Sequence, residues 1–156
     1  MKVMIVYDSV FGNTEKIAMA VGGALGGSEP VVTIRAGEVK PEQLAGIELL
    51  IVGSPTRGFR PTEAIRAFLK AIPTNSLKGV RVAAFDTRIA LEDVKSPILN
   101  IFVKIFGYAA KPIAGGLTAK GGSLRCLPEG FFVKASEGPL KEGELERAAA
   151  WAKTLR

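Results

Sequence analysis

One pattern constrains the fold more than any other. Short apolar runs, several rich in β-branched residues, alternate with polar loops and helix-like segments along the whole chain. The runs are Lys2–Tyr7 (KVMIVY), Val31–Arg35 (VVTIR), Leu49–Ser54 (LLIVGS) and Val80–Phe85 (VRVAAF). KVMIVY and LLIVGS are apolar enough for strands buried on both faces, as in parallel sheets. A fifth run, SLRCLPEGFFVK from Ser123, is interrupted at Pro128. Between the runs lie Asn13–Leu25, with Ile17, Val21 and Leu25 at helical spacing, and a short crossover at PEQLAG. A third segment from Pro61 carries Ile65, Phe68, Leu69 and Ile72 on one face. The chain closes with KEGELERAAAWAKTL, read as a helix with Leu145, Ala148, Ala149, Ala152 and Leu155 inward. Five strands each followed by a helix predict an α/β fold, a parallel sheet with helices on both faces. Ligands bind such sheets at the carboxyl ends of the strands.

The fourth crossover, from about Thr87 to Gly122, is too long for one short helix. VKSPILNIFVKIFG within it predicts an extra apolar helix at about 90–108, inside a single domain spanning 1–156. Pro112 suits the first turn of the helix that follows. The insert, residues 94–107, has two readings: a cover over the sheet beside the ligand site, or a docking surface for a partner or a membrane surface.

Composition removes several function classes. The chain has 156 residues, 47% of them hydrophobic, enough for a core without staples. Its 21 basic and 15 acidic side chains give a net charge of +6. The charge is spread out, so no nucleic-acid arm is expected. With no histidine and one cysteine, a Ser-His-Asp mechanism and an internal disulfide are impossible, and no metal site is expected. Cys126 reads as a small buried hydrophobe. The N-terminal run is too short for a signal peptide, and Lys104 and Lys111 break the most apolar region. The expected location is the cytoplasm.

Three loops at strand ends carry chemical character. DSVFGNT runs into the first helix, whose leading N–H groups lack helical acceptors. Ser9, Thr14 and Asn13 add polar side chains, and Gly12 permits the turn. This describes an anion site at a helix N-terminus. It also describes a turn and helix cap with no ligand. The loop has no lysine, unlike a nucleoside triphosphate loop, so it suits one phosphate held by neutral donors. The second loop is SPTRGF (Ser54–Phe59); the third is expected from Asp86, Thr87 and Arg88, just past the fourth strand.

In combination these loops resemble the flavodoxin family. SVFGNT is similar to that family's phosphate loop, GSPTRG to its second flavin loop, and the segment from Glu129 to Leu155 to its ending. The resemblance implies a five-stranded parallel sheet in order 2-1-3-4-5, bound FMN, and electron transfer between redox partner proteins without a catalytic side chain. By position, Ser9, Val10, Phe11, Gly12, Asn13 and Thr14 would hold the phosphate. Pro55, Thr56, Arg57 and Gly58 would border the flavin ring, with Phe59 as the aromatic residue of that loop. Asp86, Thr87 and Arg88 would reach its other edge. Gly58 could turn its carbonyl to the ring, and Arg57, Arg60 and Arg88 would favour a reduced, anionic ring. Phe11 replaces a hydroxyl residue, no Trp or Tyr stands in the ring loops, and the chain is basic where the family is acidic. Two rival functions share the fold: an FMN-dependent quinone or protoporphyrinogen-type oxidoreductase, and an interaction module that has lost FMN.

Overall fold

The computed structural model describes residues 1–156 except Ser28 and Val94, and except the side chains of Ile105 and Phe106. Val94, at the head of the insert's docking span, and the two side chains in its apolar stripe thus lie outside the described residues. The order is β1 (Val3–Tyr7), α1 (Asn13–Leu25), β2 (Val31–Arg35), β3 (Leu49–Pro55), α2 (Glu63–Ala71) and β4 (Arg81–Ile89). There follow α3 (Pro97–Phe106), α4 (Ala110–Ala119), β5 (Ser123–Leu124), β6 (Glu129–Val133) and α5 (Glu144–Lys153). The crossover from β2 to β3 is two single-turn 3-10 helices, Ala36–Glu38 and Pro41–Leu44.

All strand pairs are parallel, in order β2-β1-β3-β4-β5, with β6 also on β4. This is the implied 2-1-3-4-5 sheet with its fifth strand in two pieces. β5 pairs with Arg81 and Val82, β6 with Phe85 through Ile89. Pro128 has no N–H for the ladder, and it stands in the gap between the pieces.

The pleat sorts the core into two layers. Val3, Ile5, Tyr7, Leu49, Ile51, Ala83 and Phe85 pack under Ile17, Ala18 and Val21 of α1 and Ala148 and Ala152 of α5. Their neighbours Met4, Val6, Leu50, Val52, Val82 and Ala84 face Ile65, Phe68 and Leu69 of α2 and Ile113 and Leu117 of α4. Side-chain alternation along each strand makes this division. Trp151 closes the first layer edge-on against Phe85 and Phe131, at 6.0 and 5.9 Å between ring centres.

Three expectations need correction. The fourth strand does not stop at Phe85: it runs on through Asp86, Thr87 and Arg88 to Ile89, because β6 supplies a parallel partner for each of those residues. Leu145 is 42% exposed. Glu144 takes the inward position instead, its carboxylate accepting the Phe132 N–H at 2.7 Å. The insert forms the expected helix, but α3 leaves Ile98, Leu99, Ile101 and Phe102 exposed, so these side chains do not bury themselves over the sheet. Among the described residues no helix is long and apolar enough to cross a membrane.

Candidate functional site

β1 and β3 end side by side, and β4 runs past them. Their carboxyl ends therefore carry the loops that sequence reasoning singled out. A cleft of about 430 Å³, counting its open mouth, lies among them.

The first loop is held from behind by charges the sequence reading missed. The Arg35 guanidinium donates to the Asp8 carboxylate at 3.4 Å, the Ser9 carbonyl at 3.2 Å and the Glu15 carboxylate at 3.3 Å. Tyr7 donates its hydroxyl to the same Glu15 oxygen at 2.7 Å. Burial, and then Glu15, push the Tyr7 phenol up to about 12. Arg35 was discoverable: it ends the strand beside β1, in register with Tyr7.

Within the loop, Gly12 adopts φ 91°, which turns the chain into α1. The Ser9 hydroxyl oxygen accepts the Gly12 N–H at 3.0 Å and the Glu15 N–H at 3.4 Å. Its proton stays available for a ligand. The main-chain N–H groups of Val10, Phe11, Asn13 and Thr14 meet no protein acceptor among the described residues. Two expected side-chain donors are instead engaged within the protein. Asn13 donates its amide to the Glu137 carbonyl at 3.1 Å, and the Thr14 hydroxyl bonds that of Thr87 at 2.8 Å. The cradle is therefore mainly backbone, at the positive end of a helix.

The second loop is a tight hairpin. Arg57 and Arg60 exchange N–H···O bonds of 2.8 and 3.2 Å around Gly58 and Phe59. Both central residues have positive φ, 54° and 68°, as in a type I′ turn. The Thr56 N–H donates to the Thr87 carbonyl, and the Thr56 hydroxyl accepts the Ala109 N–H. Arg57 reaches across to lie 5.6 Å from the Phe11 ring centre, joining the two loops at the mouth.

The third group lies on the extension of β4. Thr87, Arg88 and Ile89 line the cleft, whereas Asp86 is fully buried behind it. Asp86 forms a two-point ion pair with Arg88, at 2.6 and 2.7 Å, and accepts the Ala110 N–H at 2.8 Å. Burial pushes the Asp86 carboxyl above its ordinary value, while the Arg88 guanidinium and the Ala110 N–H pull it back. Arg88 is thus a matched cation, unlike exposed Arg57 and Arg60. Its guanidinium also stacks 3.9 Å from the Tyr108 ring centre, and Tyr108 donates to the Ile89 carbonyl. Sequence spacing gave no signal for Tyr108, which belongs to the far end of the insert.

Ser9, Val10, Phe11, Asn13 and Thr14 line the cleft with Pro55, Thr56 and Arg57; Gly12, Gly58 and Phe59 stand outside its lining. Val133 and Ser136, which sequence reasoning did not include, supply the remaining wall. Among the described residues no group of acidic or sulfur side chains could hold a metal ion.

The donor set fits a phosphate monoester: neutral amides and a hydroxyl at a helix N-terminus, with no lysine in the loop. Thr56 and Arg57 add a hydroxyl and an exposed guanidinium to the same cleft.

Comparison with known proteins agrees with this fold. The chain's fold matches flavodoxin 1 from Bacillus cereus at a TM-score of 0.78 and 16% identity, over 99% of this chain and 97% of that one. A flavodoxin from the domain Archaea matches at 0.77 and 23% identity, over 99% and 96%. The rubredoxin oxygen:oxidoreductase of Desulfovibrio gigas matches at 0.71 and 23%, over 99% of this chain but 35% of that one. No curated protein sequence matches the chain. A family model described as a flavodoxin domain matches residues 4–104, well over half of the chain. The chain belongs to the flavodoxin family.

Proposed function

We propose that the cleft binds FMN and that the protein carries electrons between redox partners. The observation that carries this reading is the set of main-chain N–H groups from Val10 to Thr14, gathered without a protein acceptor at the N-terminus of α1. A bound FMN would supply reversible one- and two-electron chemistry. The chain's own residues do the rest. Val10, Phe11, Asn13 and Thr14 offer N–H groups to the phosphate, and Ser9 offers a hydroxyl proton. The Arg35 network keeps that loop in shape before any ligand arrives, which lowers the ordering cost of binding. Thr56 and Arg57 would border the ring, Phe11 and Arg57 would limit access of water to it, and Thr87, bonded to both Thr14 and Thr56, holds the first two loops together. Among the described residues that line the cleft there is no carboxylate, histidine, cysteine, lysine or tyrosine to serve as a general acid or base.

The test is an FMN titration of the purified protein, followed by flavin fluorescence and absorbance. One flavin should bind per chain, with its fluorescence quenched, and Ser9→Ala should weaken it roughly tenfold. A protein that stays colourless and leaves free FMN fluorescent overturns the proposal. NAD(P)H-driven turnover of a quinone would instead mark an oxidoreductase with its own substrate.

A further inference from the structure

Helix α3 is built unlike the other helices of the chain. At about 100° per residue, Ile101, Ile98, Phe102 and Leu99 follow one another around an arc of about 160°. They are exposed by 56, 66, 40 and 48%. No side chain in this arc can hydrogen-bond. The opposite side carries Ser96, which caps the helix, with Asn100. Lys104 borders the arc next to Ile101, and Lys95 and Lys111 are exposed at the two ends of the segment. The helix has no acidic residue. Of the acidic pair just before it, Asp93 is bound to Lys141 at 2.5 Å, and Glu92 lies a residue further back. The apolar surface continues toward the cleft: Phe102 stacks on Phe59 at 5.9 Å, in the same turn that exposes Arg57 and Arg60.

We infer that α3 and its rim of cations dock this protein onto the surface of an anionic lipid bilayer. An exposed apolar arc bordered by lysines is the form of a helix that lies in the plane of a membrane interface. Cations near the apolar face meet anionic headgroups, while the aliphatic side chains enter the acyl boundary. A protein partner fits less well, since protein interfaces carry about one hydrogen bond per 100–200 Å² and this arc offers none. A second copy fits less well again, because it would bring one basic rim against another on a chain of net charge +6. The contact is peripheral, and it does not depend on whether flavin is bound.

Vesicle sedimentation with the full chain tests this. The protein should pellet with phosphatidylcholine vesicles containing phosphatidylglycerol, less with phosphatidylcholine alone, and less at high salt. Replacing Lys95, Lys104 and Lys111 by glutamine should lower partitioning roughly a hundredfold. Ile98→Asn with Ile101→Asn should lower it at least tenfold on either lipid. An Ile101→Trp substitution should shift its emission to the blue on anionic vesicles. These positions are exposed, so circular dichroism should stay unchanged. Wild-type protein left in the supernatant with anionic vesicles overturns the inference. So does pelleting that the lysine and isoleucine variants share undiminished. A concentration-dependent dimer abolished by the same isoleucine changes would assign the face to a second copy instead.

Discussion

Thr14 and Thr87 are far apart in the chain, yet their hydroxyls meet at 2.8 Å, with exposures of 1 and 5%. This bond locks the start of α1 to β4. Thr14→Val strands a buried hydroxyl, so it should cost about 1–3 kcal/mol in urea unfolding. The double change with Thr87→Val should cost clearly less than the two single changes summed, since it strands neither group. Additive losses would show that the hydroxyls act independently. The three arginines grouped by sequence also separate at this scale. Arg88→Gln leaves the buried Asp86 carboxylate without its cation and should cost about 3–5 kcal/mol. Arg57→Gln removes only an exposed guanidinium over Phe11 and should cost about 1 kcal/mol or less. Urea midpoints read both; equal losses would contradict the burial assigned to Asp86.

At the level of elements, β3 and β4 approach closely at one place. A Cβ on Gly53 would run into the Phe85 ring of the neighbouring strand. Gly53→Ala should therefore lower stability by about 1–3 kcal/mol, read as a fall in Tm. An unchanged Tm would mean that the ring can move aside. The same pair of strands shows where the sequence was readable and where it was not. β1, α1, β2 and most of β3 were legible because their own residues carry apolar runs and helical spacing. The far half of β4 was illegible because Asp86, Thr87 and Arg88 look like a loop. They become strand only through β6, more than forty residues on, and through the ion pair that neutralises Asp86. Similarly, the three site loops were visible because each follows an apolar run. Val133 and Ser136 were not, since they enter the cleft through strand order alone. In α5 apolar spacing misplaced Leu145, because a carboxylate bound to a main-chain N–H outranked a leucine for the inward position.

For the whole molecule, Glu144 ties the last helix to the sheet. Burial makes the carboxyl a weaker acid, but Arg147, the Phe132 N–H and Lys141 outweigh that and hold it below its ordinary 4.5. A depressed carboxyl contributes stability above 4.5 and loses it as pH falls through the lower folded-state value. Unfolding free energy should therefore drop below about pH 4.5. Glu144→Gln should be less stable at neutral pH and show a shallower drop. A parallel pH profile for both proteins would remove Glu144 from the account. The same corner of the molecule governs the open flank of the sheet. β5 offers two residues, β6 begins only after Pro128, and beyond β6 the chain doubles back. Lys134 donates its N–H to the Pro139 carbonyl, and Lys141 donates its own to the Phe132 carbonyl. A foreign strand seeking a template there meets a broken ladder on one half and hydrogen-bonding groups already taken on the other. The split fifth strand thus protects a parallel sheet from growing edge to edge into aggregates.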